Sequence, residues 1–156
     1  MIKIVVKGLL VLSLMSIIFL FSSDSGEKST KKSDYVITTI GKTFFSKQLS
    51  FLGEQEFIEK HVVFVRKTAH FVLYFLLTLS VISFGEEISL PWKKLFLGTL
   101  LFVFFYACSD EIHQSFVLGR SGSFKDVIVD TISGISSLMI YYFVRRKSHE
   151  QEKTTG

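Results

Sequence analysis

The chain has 156 residues, 48% of them hydrophobic and only one a proline, with a mean hydropathy of +0.42. That length allows one small domain, and that hydropathy exceeds what a soluble domain with a charged surface shows. The formal net charge of +4 and the pI near 9.2 do not point to nucleic acid, because the basic residues sit mostly beside hydrophobic blocks, where Lys and Arg act as topology signals. Cys108 is the only cysteine; it lies in an apolar run, reads as a small filler, and leaves neither a disulfide framework nor a thiolate metal site.

The first hydrophobic block runs from Ile4 to Phe21, led by Lys3 and Lys7 and followed by SSDSGEKSTKKSD. A secretory signal starts this way, but no Ala-x-Ala-like site follows, so residues 1–21 read as an uncleaved transmembrane anchor. Residues 22–60 are polar at first and then carry Tyr35, Val36, Ile40, Phe44 and Phe45 among lysines. They suit an extracytoplasmic segment, either lying on the membrane surface with its apolar side chains dipped in or forming an ordinary loop.

Three more blocks follow, at about Val62 to Phe84, Leu95 to Ile112 and Val127 to Val144, making residues 62–144 a three-helix membrane region. Pro91 with Trp92, Lys93 and Lys94 marks a short connection at an interface. The RRK at 145–147 is a basic stop, which makes 145–156 a cytoplasmic tail. The expected fold is an all-α integral membrane bundle of about four transmembrane helices in the cell membrane. Both termini are expected in the cytoplasm, in agreement with Lys3 and Lys7.

A helix needs roughly 20 residues to cross about 30 Å of hydrocarbon. The third block has only Leu95 to Cys108 before Ser-Asp-Glu, so completing the crossing draws Asp110, Glu111, His113 and Gln114 to the lipid interface. The second block pulls in Arg66, Lys67 and His70 in the same way, and Asp130 lies within the fourth. Alternating helix directions place the start of span two, the end of span three and the start of span four at one membrane face. There Arg66, His70 and Tyr74 form one i, i+4, i+8 stripe, Asp110 and Gln114 a second, and Asp126 and Asp130 a third that continues through Ser133 and Ser137.

Ionisable groups at membrane depth face inward, pair, and are functional candidates by default. The plainest reading is that Arg66, Lys67, Arg120 and Lys125 neutralise Asp110, Glu111, Asp126 and Asp130 so that short helices can pack. On that reading Asp130 has a cationic partner, and Asp130→Leu would strand it at a cost of roughly 3–5 kcal/mol, whereas Ser137 would satisfy its hydroxyl within its own helix. His70 and His113 lack the spacing of a metal pair, so no metal and no cofactor are expected. A histidine and carboxylates in a low-dielectric pocket suit general acid-base chemistry, with His70 or Glu111 as base. Ser109, Ser115, Ser121 and Ser123 have no G-x-S-x-G setting. Gly119-Arg120-Ser121-Gly122-Ser123 is a polar turn able to hold a phosphate or simply to join two helices.

RKTAHFVLYF at 66–75 and SDEIHQSFVLGRSGSFKDVIVDTISG at 109–134 resemble the two signature stretches of the VanZ-like family of small bacterial membrane proteins. The matching residues are Lys67, His70, Phe71, Tyr74, Asp110, Glu111, Gln114, Gly119, Arg120, Asp126, Asp130 and Gly134, and the resemblance spans about Val62 to Val144. Leu118 stands where many members have Pro, and Asp130 where Asn is frequent. The founding member is associated with low-level resistance to the lipid-tailed glycopeptide teicoplanin. The resemblance therefore implies a multi-pass cell-envelope protein whose partner is a membrane lipid, a lipid-linked wall precursor or a lipoglycopeptide. Arg66, Lys67 and Arg120 would meet its anionic group, and His70, Asp110 and Glu111 would orient it. A membrane enzyme acting on such a lipid and a structural subunit are the alternatives.

Overall fold

The computed structural model describes residues 1–44 and 54–155. They form α1 (Ile2–Ser23), α2 (Gly26–Phe44), α3 (Glu54–Glu87), α4 (Trp92–Ser115) and α5 (Phe124–Thr155), with no strand among the described residues. Four segments are long and apolar enough to cross a membrane: Ile2–Ser23, His61–Glu87, Trp92–Ser115 and Phe124–Lys147. They coincide with the four hydrophobic blocks, and the all-α membrane bundle follows. Two boundaries differ from the sequence expectation. Residues 54–60, assigned there to the segment at 22–60, are the first turns of α3, and the basic tail continues α5 as helix through Thr155. Phe45 lies outside the described residues.

Helix α3 is the centre of the bundle and touches α1, α2, α4 and α5. Tyr74, Leu77, Val103, Ala107, Ile18 and Val127 fill the core toward one end, and Ile82, Leu95 and Leu138 fill it toward the other. The outer faces keep Leu9, Leu10, Phe105, Ile132 and Phe143 exposed. Lipid tails are as apolar as these side chains, so helix association here rests on close packing and interhelical hydrogen bonds. Both occur along the α3–α5 seam. Ser133 Oγ donates to Phe71 O, and Ser137 Oγ donates to Phe75 O at 3.0 Å. Ser137 thus bonds across to α3 rather than within its own helix as expected, because the helices approach closely enough at Gly134 for a short hydroxyl to reach. A bond of this kind is worth about 0.6 kcal/mol.

The segment after α1 is more closely attached than its composition suggests. Ser29, Ser33 and Ile37 recur at i, i+4, i+8 and are buried, while Tyr35, Val36 and Ile40 stay exposed. Asp24 at the α1–α2 corner is paired with Lys28 at 2.7 Å and with Lys32, and hydrogen bonds from these lysines hold its carboxyl below the ordinary carboxylate range. The Gly26 N–H donates to Leu118 O at 3.0 Å, which ties α2 to the α4–α5 loop. Gly119 in that loop has φ +73°, a backbone conformation that only glycine adopts without strain.

At the end of the bundle where α1 begins, Lys7 pairs with Glu87 at 2.6 Å, Glu86 accepts from Tyr141 and pairs with Arg145, and the Arg145 guanidinium lies 4.8 Å from the Trp92 ring centre. These groups are mutually satisfied. The opposite end is where polar groups are left over.

Candidate functional site

The middle of α3, the first turns of α5, the last turns of α4 and the loop between α4 and α5 enclose a cavity of about 100 Å³, lined by Arg66, Lys67, His70, Glu111, Arg120 and Asp130 together with Gln114, Ser121 and Asp126. The three stripes expected from the sequence meet here. Tyr74, one turn below His70, is fully buried, its ring centre 6.5 Å from that of His70 and its hydroxyl without a partner among the described residues.

Gln114 is the hub of the wall. Its Nε2 donates to Asp110 Oδ2 at 3.0 Å and to Glu111 Oε1 at 3.3 Å, and its Oε1 accepts from Arg120 Nη1 at 3.0 Å. The other carboxylate oxygen of Glu111 accepts the Ser123 N–H at 2.7 Å. Glu111 therefore latches the glycine-rich loop across the mouth of the cavity. Arg120 Nη2 donates to Phe21 O, the last apolar turn of α1, at 3.1 Å.

The charges are only partly neutralised. Lys67 pairs with Asp126, as the balanced reading requires. Arg120 spends its two Nη groups on an amide and a backbone carbonyl, and its buried Nε has no partner among the described residues. Removal from water, and then the nearby Arg66, pull the Arg120 guanidinium below its ordinary pKa. Asp130 is 2% exposed, its Oδ2 is unpartnered among the described residues, and no ion pair reaches it there. This corrects the expectation of a cationic partner for Asp130. Lys67, the nearest candidate on α3, is drawn to Asp126 one helical turn closer to the surface, so Asp130→Leu strands no cation.

A family model described as VanZ/LLP1 matches residues 8–145. The chain belongs to the VanZ/LLP1 family. No curated protein and no solved structure matches it. The VanZ match takes in most of α1 and all of α2, a wider stretch than the 62–144 region on which the sequence resemblance rests. The structure agrees with that extent, because α1 supplies Phe21 O to Arg120 and Ser22 Oγ lies 3.3 Å from Gln114 Nε2.

Within this VanZ bundle, His113 departs from its expected place. It faces α1, with Nε2 3.0 Å from Ser23 Oγ and its ring stacked on Phe19 at 4.5 Å, and it does not line the cavity. The sequence reading also missed a cluster. His70, Asp110 and Asp130 come from three different helices, and one donor atom of each lies within 4.8 Å of the others. No spacing along a single helix signals such a group.

Proposed function

We propose that this VanZ-family protein binds the anionic group of an amphiphile at the cavity: the phosphate or carboxylate of a lipid headgroup, of a polyprenyl-linked wall precursor or of a teicoplanin-type lipoglycopeptide. The observation that carries the reading is Arg120, a half-buried guanidinium whose Nε–H is buried and unused among the described residues, in a cavity it shares with Arg66 and Lys67. Guanidinium and oxyanion form strong charge-assisted bonds, and an anion here would compensate the desolvation of Arg120. A volume of about 100 Å³ takes one phosphate-sized group, far less than the cavities that enclose whole ligands. The rest of the amphiphile stays outside, its tail lying in the bilayer alongside the exposed apolar faces.

The test is titration of the purified full-length protein in mild detergent with short-chain phosphatidate, with phosphatidylcholine of the same chains as control. Phosphatidate binds in preference, and Arg120→Lys weakens it by roughly 10–100-fold, since hydrogen bonds to charged groups contribute about 1.5–3 kcal/mol and lysine lacks the planar fork. Full affinity in a folded Arg120→Lys protein contradicts a guanidinium contact to the anion. The enzymatic alternative, with His70 as general base, predicts a new lipid product in the same incubation. Glu111 suits that role less well, because both of its oxygens are occupied.

The cavity is further proposed to open on the outer face of the cell membrane, with both termini cytoplasmic, from the RRK at 145–147 and from Lys3 and Lys7. On a Cys108→Ser background, Ser121→Cys in the exposed loop is expected to react with an impermeant maleimide in intact cells. Protection at 121 with reaction of Ser148→Cys inverts the orientation.

A further inference from the structure

We propose that His70, Asp110 and Asp130 bind one divalent transition-metal ion, Zn²⁺ or Mn²⁺, at the floor of the cavity. The site stands whether or not the headgroup reading holds.

The donor set is built by three helices: His70 on α3, Asp110 on α4 and Asp130 on α5. Their donor atoms already lie within 4.8 Å of one another, with His70 Nδ1 3.9 Å from Asp110 Oδ2. An ion about 2.0–2.2 Å from each donor requires separations of roughly 3–4 Å, so small side-chain rotations close the shell. A second observation points to a ligand beside the clustering. The Asp130 side chain is almost wholly buried, one of its carboxylate oxygens lies within 4.8 Å of the other two donors, and its Oδ2 has no hydrogen bond from any described residue. Buried carboxylate oxygens are otherwise nearly always partnered.

Charge and orientation agree. Two carboxylates, a dication and a neutral imidazole sum to zero, which is the arrangement that hydrocarbon depth tolerates best. The Gln114 amide donates to Asp110 Oδ2 at 3.0 Å, the kind of outer-shell bond that orients a ligating carboxylate. An imidazole among the donors favours Zn²⁺ over Ca²⁺ and Mg²⁺, which prefer all-oxygen surroundings, while the two carboxylates suit Mn²⁺. Three protein donors leave a coordination position open, and His70 and Asp130 both line the cavity that Arg120 also lines. A water or a phosphate oxygen would complete the shell from the cavity side.

The experiment uses the full chain in dodecyl maltoside, stripped with EDTA and then titrated with Co²⁺ alone as a visible-absorption probe. Saturation at one Co²⁺ per chain, displacement by Zn²⁺ and a Zn²⁺-dependent rise in melting temperature are expected. Asp130→Asn and His70→Gln lower the affinity by more than the ~10–100-fold that loss of an outer-shell partner costs, while His113→Gln, outside the cavity, binds as the parent does. Circular dichroism and size-exclusion chromatography establish that the variants are folded; should His70→Gln fail to fold, the near-isosteric Asp130→Asn decides. No saturable Co²⁺ binding by the parent, or equal binding by folded Asp130→Asn, overturns the proposal.

Discussion

Glu111→Gln is expected to unlatch the loop over the cavity and to lower the stability of the protein by about 1–3 kcal/mol. Each carboxylate oxygen of Glu111 accepts a bond, one from the Ser123 N–H and one from Gln114 Nε2. An amide of the same shape offers only one acceptor, so its NH₂ must face one of these two donors. Either Ser123 loses its partner and the loop at 119–123 comes free, or Gln114 is displaced and with it the hydrogen bond that fixes Arg120. In both cases the cavity loses its wall. Amide hydrogen exchange at Ser123 and thermal unfolding in detergent read the change, and unchanged protection at Ser123 would mean that the loop is held by other contacts. Because Glu111 and Arg120 are linked through Gln114, Glu111→Gln and Arg120→Ala are expected to combine less than additively in headgroup binding. His70→Ala and Glu111→Gln, which line one cavity, should likewise be scarcely worse together than singly in a cell-based assay of lipoglycopeptide tolerance at matched protein levels.

The largest effect on the fold is expected from Gly134→Leu. A Cβ at this position would already lie 3.1 Å from Thr78 Oγ1 and from Val103 Cγ1, tighter than ordinary van der Waals contact. Alanine therefore asks the seam to yield by a few tenths of an ångström, whereas leucine must separate α5 from α3 and α4. Overpacking alone costs about 1–3 kcal/mol, and the separation also stretches the flanking bonds from Ser133 and Ser137 to α3. Reduced melting temperature and aggregation on extraction are expected for Gly134→Leu, with Gly134→Ala close to the parent. A Gly134→Leu protein as stable as the parent would show that the seam is looser than its geometry implies.

These results also mark what a sequence reader can and cannot see. The four spans were legible because block length and hydropathy report directly on the cost of exposing backbone to lipid. The convergence of the three stripes followed from helix direction alone, without knowledge of packing. Packing detail did not follow. His113 lies between Asp110 and Gln114 in sequence, yet each residue turns the helix by about 100°, and the hydrogen bond of Gln114 to Asp110 orients that face inward while His113 turns to Phe19 on α1. Ser29 and Ser33 read as part of a polar segment because small hydroxyls carry no hydropathy signal, although with Ile37 they form the buried face of α2. The balance of charges among Arg66, Lys67, Arg120, Lys125 and the four acids holds as a sum, but a sum does not say which groups pair. Lys67 takes Asp126, and Asp130 and the Arg120 Nε are left without partners among the described residues. Those two groups, invisible to a count of charges, define the site.

Native mass spectrometry of the full-length protein released from mild detergent tests the anion-binding cavity most directly. A protein that binds an anionic headgroup is expected to retain a lipid of one defined anionic class at one copy per chain, and folded Arg120→Ala is expected to lose that adduct while keeping the nonspecific lipids common to both. Equal retention of the same lipid by Arg120→Ala, or adducts that merely mirror the composition of the membrane, would contradict an anion site at Arg120.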